Sequence, residues 1–325
     1  MQQFLGYLIL IAFGQTSPFD SEKPIVLGPS GSAGEGPTWH PGLGILTSGH
    51  KGIHQLSPNG NASVFLEGAG TNGLLFGPGG YLYACQPSMK RVIRIDPKTK
   101  AVTVLADNFE GKKFNQPNDL SFDDLGRLYF SDPRYGPKDG MEQRDAEGKT
   151  IEGVYRIDPD GKIFRVIGRE VERANGVAVS RDGKWLYVAD NNNDTLHGAR
   201  KLWRFARKDD GSIDTKSQVL LYDWKEGRGP DGLKEDKNGV LYVAGGLNKN
   251  NPPFENDSAP GGIYVIDPNL PADRRLVTQL RIPTDEVTNC AFGGEDLRTL
   301  FITGGGVLYS VRTSTPGAVR FATAK

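Results

Sequence analysis

The chain has 325 residues, of which 24% are charged, and its 39 Lys and Arg are balanced by 39 Asp and Glu. This zero formal net charge, with basic residues scattered along the chain, argues against a nucleic-acid-binding protein. The only long apolar run, Phe4 to Phe13, is too short to span a bilayer. Small and polar residues follow it, so residues 1–20 are interpreted as a signal peptide and the protein as exported. The alternative is a disordered or packed leader on a cytoplasmic protein.

A short pattern then recurs six times, and each copy places an oxygen-bearing side chain before an apolar strand. In chain order these residues are Glu35, Asn72, Asn118, Asn175, Asp231 and Asn289. Their spacings are 37, 46, 57, 56 and 58 residues. Periods of roughly 40 to 50 residues made only of strands are typical of propeller blades. Each unit is predicted to contain four strands, which in the third unit are residues 119–122, 127–131, 153–158 and 163–167.

Turn signals and strand composition agree with this interpretation. Asp160-Gly161 and Asn238-Gly239 are tight-hairpin dipeptides, and helical periodicity is absent beyond one turn. The sequence therefore predicts an all-β fold, a single six-bladed β-propeller over residues 21–325, with an amino-terminal strand near residues 24–27 completing the last blade. The alternative is a β-sandwich or two stacked β domains, which the even spacing disfavours. Cys85 and Cys290 fall in blades that are not neighbours, so buried free thiols are expected.

The repeated side chains predict a metal site in the central channel. The first strand of each blade lines that channel, so all six side chains should meet near one mouth. Two carboxylates about 4 Å apart repel by roughly 4 kcal/mol at an effective dielectric near 20, and a divalent cation would remove that repulsion. Oxygen-only ligands favour Ca²⁺, with Mg²⁺, Mn²⁺ or Zn²⁺ as alternatives. Turn formation alone, or an indirect role, is the competing interpretation for Asn72 and Asn289, whereas Glu35 is not a turn residue.

Three long loops, residues 133–152, 191–201 and 246–261, follow second strands of their blades. Because adjacent strands are antiparallel, these loops should overhang the same mouth of the channel as the six repeated side chains, which are called the oxygen ring below. Long loops in a compact domain tend to be functional, which predicts a small-molecule pocket there. Arg134, Tyr135 and His197 lie in these loops and are predicted to contact substrate, with a solvated loop histidine as the alternative for His197.

Five segments carry a family resemblance when they are taken together and in order. They are EGPTW at 35–39, QPND at 116–119, SDPRYG at 131–136, ANGV at 174–177 and PDGL at 230–233. Nearly the whole chain after residue 20 resembles the senescence marker protein, gluconolactonase and luciferin-regenerating enzyme family, and the bacterial gluconolactonase-like branch is the nearer likeness. Gln116 departs from the animal sugar-lactonase pattern, which has a substrate-contacting Arg there.

The resemblance implies a six-bladed propeller with one catalytic divalent metal. It implies ligation by Glu35, Asn175 and Asp231, with Asn118 either ligating or facing the substrate. It also implies hydrolysis of lactones, and in some relatives of phosphate triesters. A small-molecule lactone is therefore the expected partner of a monomer or weak homo-oligomer.

Lactone hydrolysis needs a polarised carbonyl, an attacking water and a base, and a bound metal can supply the first and position the second. Asp231 is the first candidate for the base. Asp119 is the second, with orientation of Asn118 or substrate contact as its other predicted roles. A Ser-His-Asp hydrolase is disfavoured because the chain has no Gly-x-Ser-x-Gly elbow. The remaining alternative is a non-catalytic metal-containing propeller that binds a small ligand or a protein.

Overall fold

The computed structural model describes residues 17–28, 31 and 33–321. Its strands form six four-stranded antiparallel sheets, in which consecutive strands pair, except that the first strand of the chain pairs with the last. This arrangement confirms the predicted six-bladed β-propeller. Outside the sheets, the described residues contain one small hairpin and three single 3-10 turns, at Pro78–Gly80, Pro87–Met89 and Ala272–Arg274.

The first half of the chain builds three blades, and its strands follow in order. Strand β1 (Ile25–Gly28) comes first and belongs to the last blade. The first blade contains β2 (Glu35–His40), β3 (Gly44–Gly49), β4 (Gly52–Leu56) and β5 (Ala62–Glu67). The second contains β6 (Leu74–Phe76), β7 (Leu82–Gln86), β8 (Arg91–Ile95) and β9 (Val102–Ala106). The hairpin β10 (Asn108–Phe109) and β11 (Lys112–Lys113) precedes the third blade, which contains β12 (Leu120–Phe122), β13 (Leu128–Ser131), β14 (Val154–Ile157) and β15 (Ile163–Ile167).

The second half of the chain builds the other three blades. The fourth contains β16 (Ala174–Val179), β17 (Trp185–Asn191), β18 (Arg200–Arg207) and β19 (Ile213–Asp223). The fifth contains β20 (Pro230–Glu235), β21 (Leu241–Gly245), β22 (Gly262–Ile266) and β23 (Leu276–Arg281). The sixth contains β24 (Val287–Gly293), β25 (Thr299–Gly304) and β26 (Val307–Arg312) from this half.

Both ends of the chain build the sixth blade, as predicted. Strand β1 pairs antiparallel with β26, with Ile25 opposite Ser310, and supplies the fourth strand. Of the expected leader, residues 1–16 lie outside the described residues. Phe19 is buried and packs edge-on against Tyr242 of the fifth blade, with 5.8 Å between ring centroids. The packed part of the chain therefore begins before residue 21.

Strand β22 shows why the blades need apolar residues on both faces. Ile263 and Val265 pack toward the sixth blade, whereas Tyr264 and Ile266 pack toward the fourth. Successive strand residues point to opposite faces, so a blade between two neighbours buries every position. Burying each such side chain contributes about 1.5 to 3 kcal/mol. The same packing encloses Cys85 and Cys290, which are free and fully buried, as predicted.

The first strands of the blades form a closed ring. Contacts join β2 to β6, β6 to β12, β12 to β16, β16 to β20, β20 to β24 and β24 back to β2. These strands therefore line the central channel. The connections from second to third strand are long in blades three to five, at residues 132–153, 192–199 and 246–261, and short in the others. Within the described part of the chain, no helix is long and apolar enough to cross a membrane.

Candidate active site

A break in strand register marks the repeated residue in four of the blades. The pairing of β2 with β3 shifts between Glu35 and Thr38, and the pairing of β20 with β21 shifts between Pro230 and Leu233. Such a bulge bends the strand and changes the direction of a side chain. The repeated residues consequently turn toward one mouth of the channel instead of following the alternation of the strand.

The glycines of the repeat allow neighbouring first strands to approach closely. A Cβ on Gly176 would lie 2.1 Å from the carbonyl oxygen of Asp231, and one on Gly36 would lie 2.1 Å from that of Asn72. Of the four motif glycines, only Gly36 has a left-handed φ, of 53°. Turn formation therefore does not explain the repeat as a whole. The lack of a side chain keeps the ring narrow, which brings the oxygen-bearing residues together.

Glu35 is held by two donors at its Oε2 atom. The backbone N–H of Gly36 donates to it over 2.8 Å, and Nδ2 of Asn289 lies 3.3 Å away. The Oδ1 of Asn289 accepts from the backbone N–H of Cys290, so its amide nitrogen points to Glu35. Asn289 thus contacts Glu35, which fits the indirect role that the sequence left open. Burial raises the pKa of Glu35 to about 7, the Gly36 bond opposes this shift and the charge of Asp119 adds to it.

Asp231 lies in the same acidic cluster. Burial, followed by the negative charges of Glu35 and Glu286, raises the pKa of Asp231 well above its usual range, while Arg228 opposes the shift. Its Oδ1 is buried and has no hydrogen-bond partner among the described residues. The arrangement therefore holds carboxylates that need either a proton or a cation.

Asn175 is 3% exposed and meets a loop from the third blade. Its Nδ2 donates to the hydroxyl of Tyr135 over 2.7 Å, and that hydroxyl lies 3.5 Å from the backbone oxygen of Asn191. The Oδ1 of Asn175 is buried and has no hydrogen-bond partner among the described residues. The structure therefore brings the hydroxyl of Tyr135 to the oxygen ring, in contact with Asn175, which is a predicted metal ligand.

The unpaired oxygens test whether these residues fit a metal ion. Oδ1 of Asn72, of Asn175 and of Asp231 is buried without a partner in the described structure. Leaving a buried acceptor unsatisfied costs about 1 to 3 kcal/mol, so several such atoms around acidic groups fit a cation-binding site. Among the described residues, no three His, Cys, Asp or Glu side chains cluster as a metal site. A cation bound here would need amide oxygens as well as carboxylates, which suits a hard cation with mixed oxygen ligands.

Asn118 and Asp119 immediately precede the first strand of the third blade. Asn118 is 7% exposed, and its backbone bonds to Ser131 over 3.0 Å and to Gly73 over 2.8 Å. Asp119 is 2% exposed, its Oδ1 accepts from its own neighbour, and its Oδ2 lies 3.8 Å from Nζ of Lys234. Asp119 therefore faces a cation of the fifth blade.

The structure places the other two loop residues away from the ring. Nε of Arg134 donates to the backbone oxygen of Pro137, within its own loop, over 2.6 Å. The side chain of His197 is 81% exposed, and its Nδ1 lies 3.6 Å from Glu226. Of the three predicted loop contacts, the structure thus brings Tyr135 alone into the ring.

Polar and charged residues hold the loop of Tyr135, a role that no sequence pattern indicated. Gln116, which stands where the animal sugar-lactonase pattern has Arg, accepts from the backbone N–H of Tyr135 over 2.8 Å. The guanidinium of Arg173 stacks on the Tyr135 ring, 5.1 Å from its centroid, and its Nε donates to Glu152 over 2.9 Å. Arg173 is fully buried. No sequence pattern marks these partners, because they are distant in the chain and Arg173 comes from the next blade.

A separate cavity of about 100 Å³ occupies the other half of the channel. Apolar first-strand residues line it, and residues 318–321 close it from below. Arg320 donates to the backbone oxygens of Phe122 and Val179 over 3.1 Å and 3.0 Å, and Phe321 packs edge-on against Phe122. This tail closes the end of the channel opposite the oxygen ring. The pocket predicted under the loops stays a prediction.

Comparison with known proteins gives matches along most of the chain. The model of the SMP-30/gluconolactonase/LRE-like region matches residues 33–306. A gluconolactonase of Zymomonas mobilis is 32% identical over 272 residues, which cover 81% of this chain and 69% of that protein.

Two solved structures share the fold. A gluconolactonase from Xanthomonas campestris superposes with a TM-score of 0.71 at 24% identity, covering 90% of this chain and 89% of that one. Regucalcin from Agrobacterium tumefaciens, described as a calcium-binding protein, has a TM-score of 0.68 at 18% identity, covering 92% and 96%. With the family match, these findings confirm the resemblance seen in the sequence. The chain therefore belongs to the SMP-30/gluconolactonase/LRE-like family.

Proposed function

We propose that this protein hydrolyses lactones with the help of one divalent cation, held by Glu35, Asn175 and Asp231, with Asn118 ligating or facing the substrate. The class of enzyme, a lactone hydrolase, follows from the family and from its gluconolactonase relative. The metal and the roles of individual residues are supported by the geometry of the ring.

One observation carries the proposal: the buried, unpaired oxygens of Asn175 and Asp231 lie at the same channel mouth as Glu35. The elevated pKa values of Glu35 and Asp231, which arise first from burial, fit a site whose charge is normally balanced by a cation. Asparagine and carboxylate oxygens favour Ca²⁺ over Zn²⁺, which is usually bound through Cys or His. The calcium-binding Agrobacterium protein of the same fold supports this choice.

Each group then has a role in the reaction. When bound, the cation would polarise the lactone carbonyl and favour ionisation of a nearby water. Asp231, acting as both ligand and base, accepts the proton of the attacking water. The water oxygen bonds to the carbonyl carbon, the ring C–O bond breaks, and the departing oxygen takes up the proton held by Asp231 to give a hydroxy acid. Asn118 donates a hydrogen bond to the substrate, and Asp119 with Lys234 closes the channel behind it.

Stripping the protein of metal and restoring Ca²⁺, Mg²⁺, Mn²⁺ or Zn²⁺ one at a time tests this proposal. A panel of sugar lactones, simple lactones and phosphate triesters should show hydrolysis that disappears on stripping and returns with metal, most strongly with Ca²⁺. Exchange of the exposed Glu147 for Gln serves as a control for removal of a carboxylate. Metal binding without turnover of any lactone or ester would contradict the proposal and favour a non-catalytic binding propeller.

A further inference from the structure

We infer that Tyr135 is a positioning residue that sets the orientation of the Asn175 side-chain amide, so that Oδ1 rather than Nδ2 faces the metal site. The inference rests on the proposed function, because it concerns the same cation. It assigns to the loop of the third blade a role other than substrate contact. This loop would decide whether a residue of the fourth blade can act as a ligand.

The direction of the hydrogen bonds carries the argument. An asparagine amide can be rotated by half a turn with little change in shape, and the two orientations offer a cation either an oxygen or an N–H group. The hydroxyl of Tyr135 lies 2.7 Å from Nδ2 of Asn175 and 3.5 Å from the backbone oxygen of Asn191. A backbone oxygen can only accept, so the phenolic proton is directed toward Asn191. The phenolic oxygen is then left to accept from Nδ2, and Oδ1 of Asn175 must point the other way.

The unpaired atom is the one that this direction predicts. Oδ1 of Asn175 is buried and has no partner among the described residues, although the side chain is 3% exposed. In the reverse orientation, an N–H group would be directed at the cluster of Glu35 and Asp231 and would exclude a cation from it. The hydrogen bond to Tyr135 therefore selects the orientation of Asn175 in which the oxygen ring can bind a cation. In the other orientation, the amide N–H group of Asn175 would occupy the site.

Tyr135 is itself held from two sides, so its hydroxyl has a fixed position. Its backbone N–H donates to Gln116 over 2.8 Å, and the guanidinium of Arg173 covers its ring. Arg173 is anchored to Glu152 over 2.9 Å and to Asp194 over 2.7 Å. A group fixed in this way can orient a ligand without touching the cation, as partners beyond the direct ligands of metal sites commonly do.

Calorimetric titration of the metal-free protein with Ca²⁺ and Mn²⁺ tests the inference. Tyr135→Phe removes only the hydroxyl and should weaken metal affinity by roughly 10- to 100-fold, the usual effect of losing such a partner. Tyr264→Phe is the matched control, because the hydroxyl of Tyr264 also donates to a backbone oxygen, that of Pro260, over 2.8 Å. This control should keep the affinity of the wild type.

Testing Tyr135→Phe in a second variant of the protein distinguishes a change in the orientation of the Asn175 amide from general damage to the fold. Asn175→Asp supplies two equivalent oxygens, so either orientation presents an acceptor to the cation. Adding Tyr135→Phe to Asn175→Asp should therefore change metal affinity by less than about threefold, which is below 1 kcal/mol. An equally large loss in both backgrounds would overturn the inference, since it would show a structural effect of the hydroxyl.

Kinetics at saturating metal gives an independent outcome. For a positioning residue, Tyr135→Phe should leave the KM for a lactone unchanged once the site is filled. A raised KM together with unchanged metal affinity would overturn the inference and make Tyr135 a substrate contact. A wild-type protein that binds no divalent cation would overturn the proposed function as well, whereas unchanged affinity in Tyr135→Phe alone would overturn only this inference.

Discussion

Asp119 and Lys234 face each other across the channel, with 3.8 Å between the carboxylate Oδ2 and the ammonium Nζ. Asp119 directly follows Asn118, and Lys234 lies three residues after Asp231, so the pair lies immediately behind the oxygen ring. The charge of Lys234 also lowers the pKa of Glu35 against the larger effect of burial. The ammonium group of Lys234 thus partly balances the negative charge of Glu35 and Asp119 from behind the oxygen ring.

Lys234→Met should lower the free energy of unfolding of the metal-free protein by roughly 2 kcal/mol. Asp119 would lose its cation while it remains 2% exposed, and the partial exposure of Lys234 keeps the loss below that of a fully buried pair. Urea unfolding followed by fluorescence measures the change. Adding Asp119→Asn should recover part of the loss, because an amide needs no cation. Strictly additive effects of the two substitutions would show that the pair is not coupled.

Glu35→Gln and Asp231→Asn should each weaken divalent-metal affinity by at least tenfold, about 1.4 kcal/mol. Each substitution removes one of the two negative ligands and leaves an oxygen in nearly the same place. Calorimetric titration gives the affinity directly, with the exposed Glu147→Gln as a control. Wild-type affinity in both ring variants would mean that neither carboxylate is a ligand.

Asp231→Asn should also lose activity when excess metal refills the site. The amide still offers an oxygen to a cation but cannot accept a proton from water, and loss of a general base typically lowers the rate about 10² to 10⁴-fold. Asn175→Asp keeps a carboxylate at the site and should retain metal and part of the turnover. Initial rates at saturating metal compare the two variants. Full activity of Asp231→Asn would transfer the role of base to Asp119.

Metal affinity should rise with pH through about 7, the pKa of Glu35, because a cation displaces the proton from the carboxylate. Without metal, the folded protein holds this proton from about pH 4.5 to about 7, whereas the unfolded chain has released it. The unfolding free energy of the metal-free protein should therefore fall as the pH rises through this window. The raised pKa of Asp231 acts in the same direction.

Metal titrations and thermal unfolding at about pH 5, 6, 7 and 8 measure how metal affinity and the unfolding free energy depend on pH. Glu35→Gln should make both quantities depend less on pH. A metal-free protein whose stability rises across the same window would contradict the assignment of Glu35 as a protonated group.

Arg320→Ala should lower the free energy of unfolding by roughly 1 to 3 kcal/mol, because the backbone oxygens of Phe122, Val179 and Ser180 lose their donor. Metal affinity should stay unchanged, since the tail closes the opposite end of the channel from the ring. Urea unfolding and calorimetry measure the two quantities, with Arg274→Ala at an exposed position as the control. A loss of metal affinity would show that the two ends of the channel are coupled.

The repeat was enough to predict the fold and to gather Glu35, Asn175 and Asp231 at one mouth. Such a prediction is possible because the repeated residue recurs six times before a first strand, and in four blades it marks a local break in strand register. The repeat left one point open, because a glycine after an oxygen-bearing residue can also serve a turn. At Gly176 the glycine gives room to the backbone of the next blade.

Contacts between blades could not be predicted in the same way. Lys234 faces Asp119, and Arg173 of the fourth blade covers the Tyr135 ring of the third, although nothing in the spacing of these residues couples them. Arg134 and Tyr135 are adjacent in the sequence, but one side chain turns into its own loop while the other reaches Asn175. Loop conformation, which depends on buried partners such as Glu152 and Arg173, decides between them.

The unequal lengths of the loops around the channel determine how a molecule can enter. The connections from second to third strand are long in blades three, four and five. In blades one, two and six they are short turns, at residues 50–51, 87–90 and 305–306. Because the tail around Arg320 lies across the opposite end, we expect substrate and product to use the same mouth of the channel. We therefore expect the bulky part of a large lactone to extend over the low rim above blades six, one and two, where its size is least restricted. The short turns would then allow lactones with long substituents to bind, whereas the long loops of blades three to five would select among lactones by their structure near the reacting carbonyl.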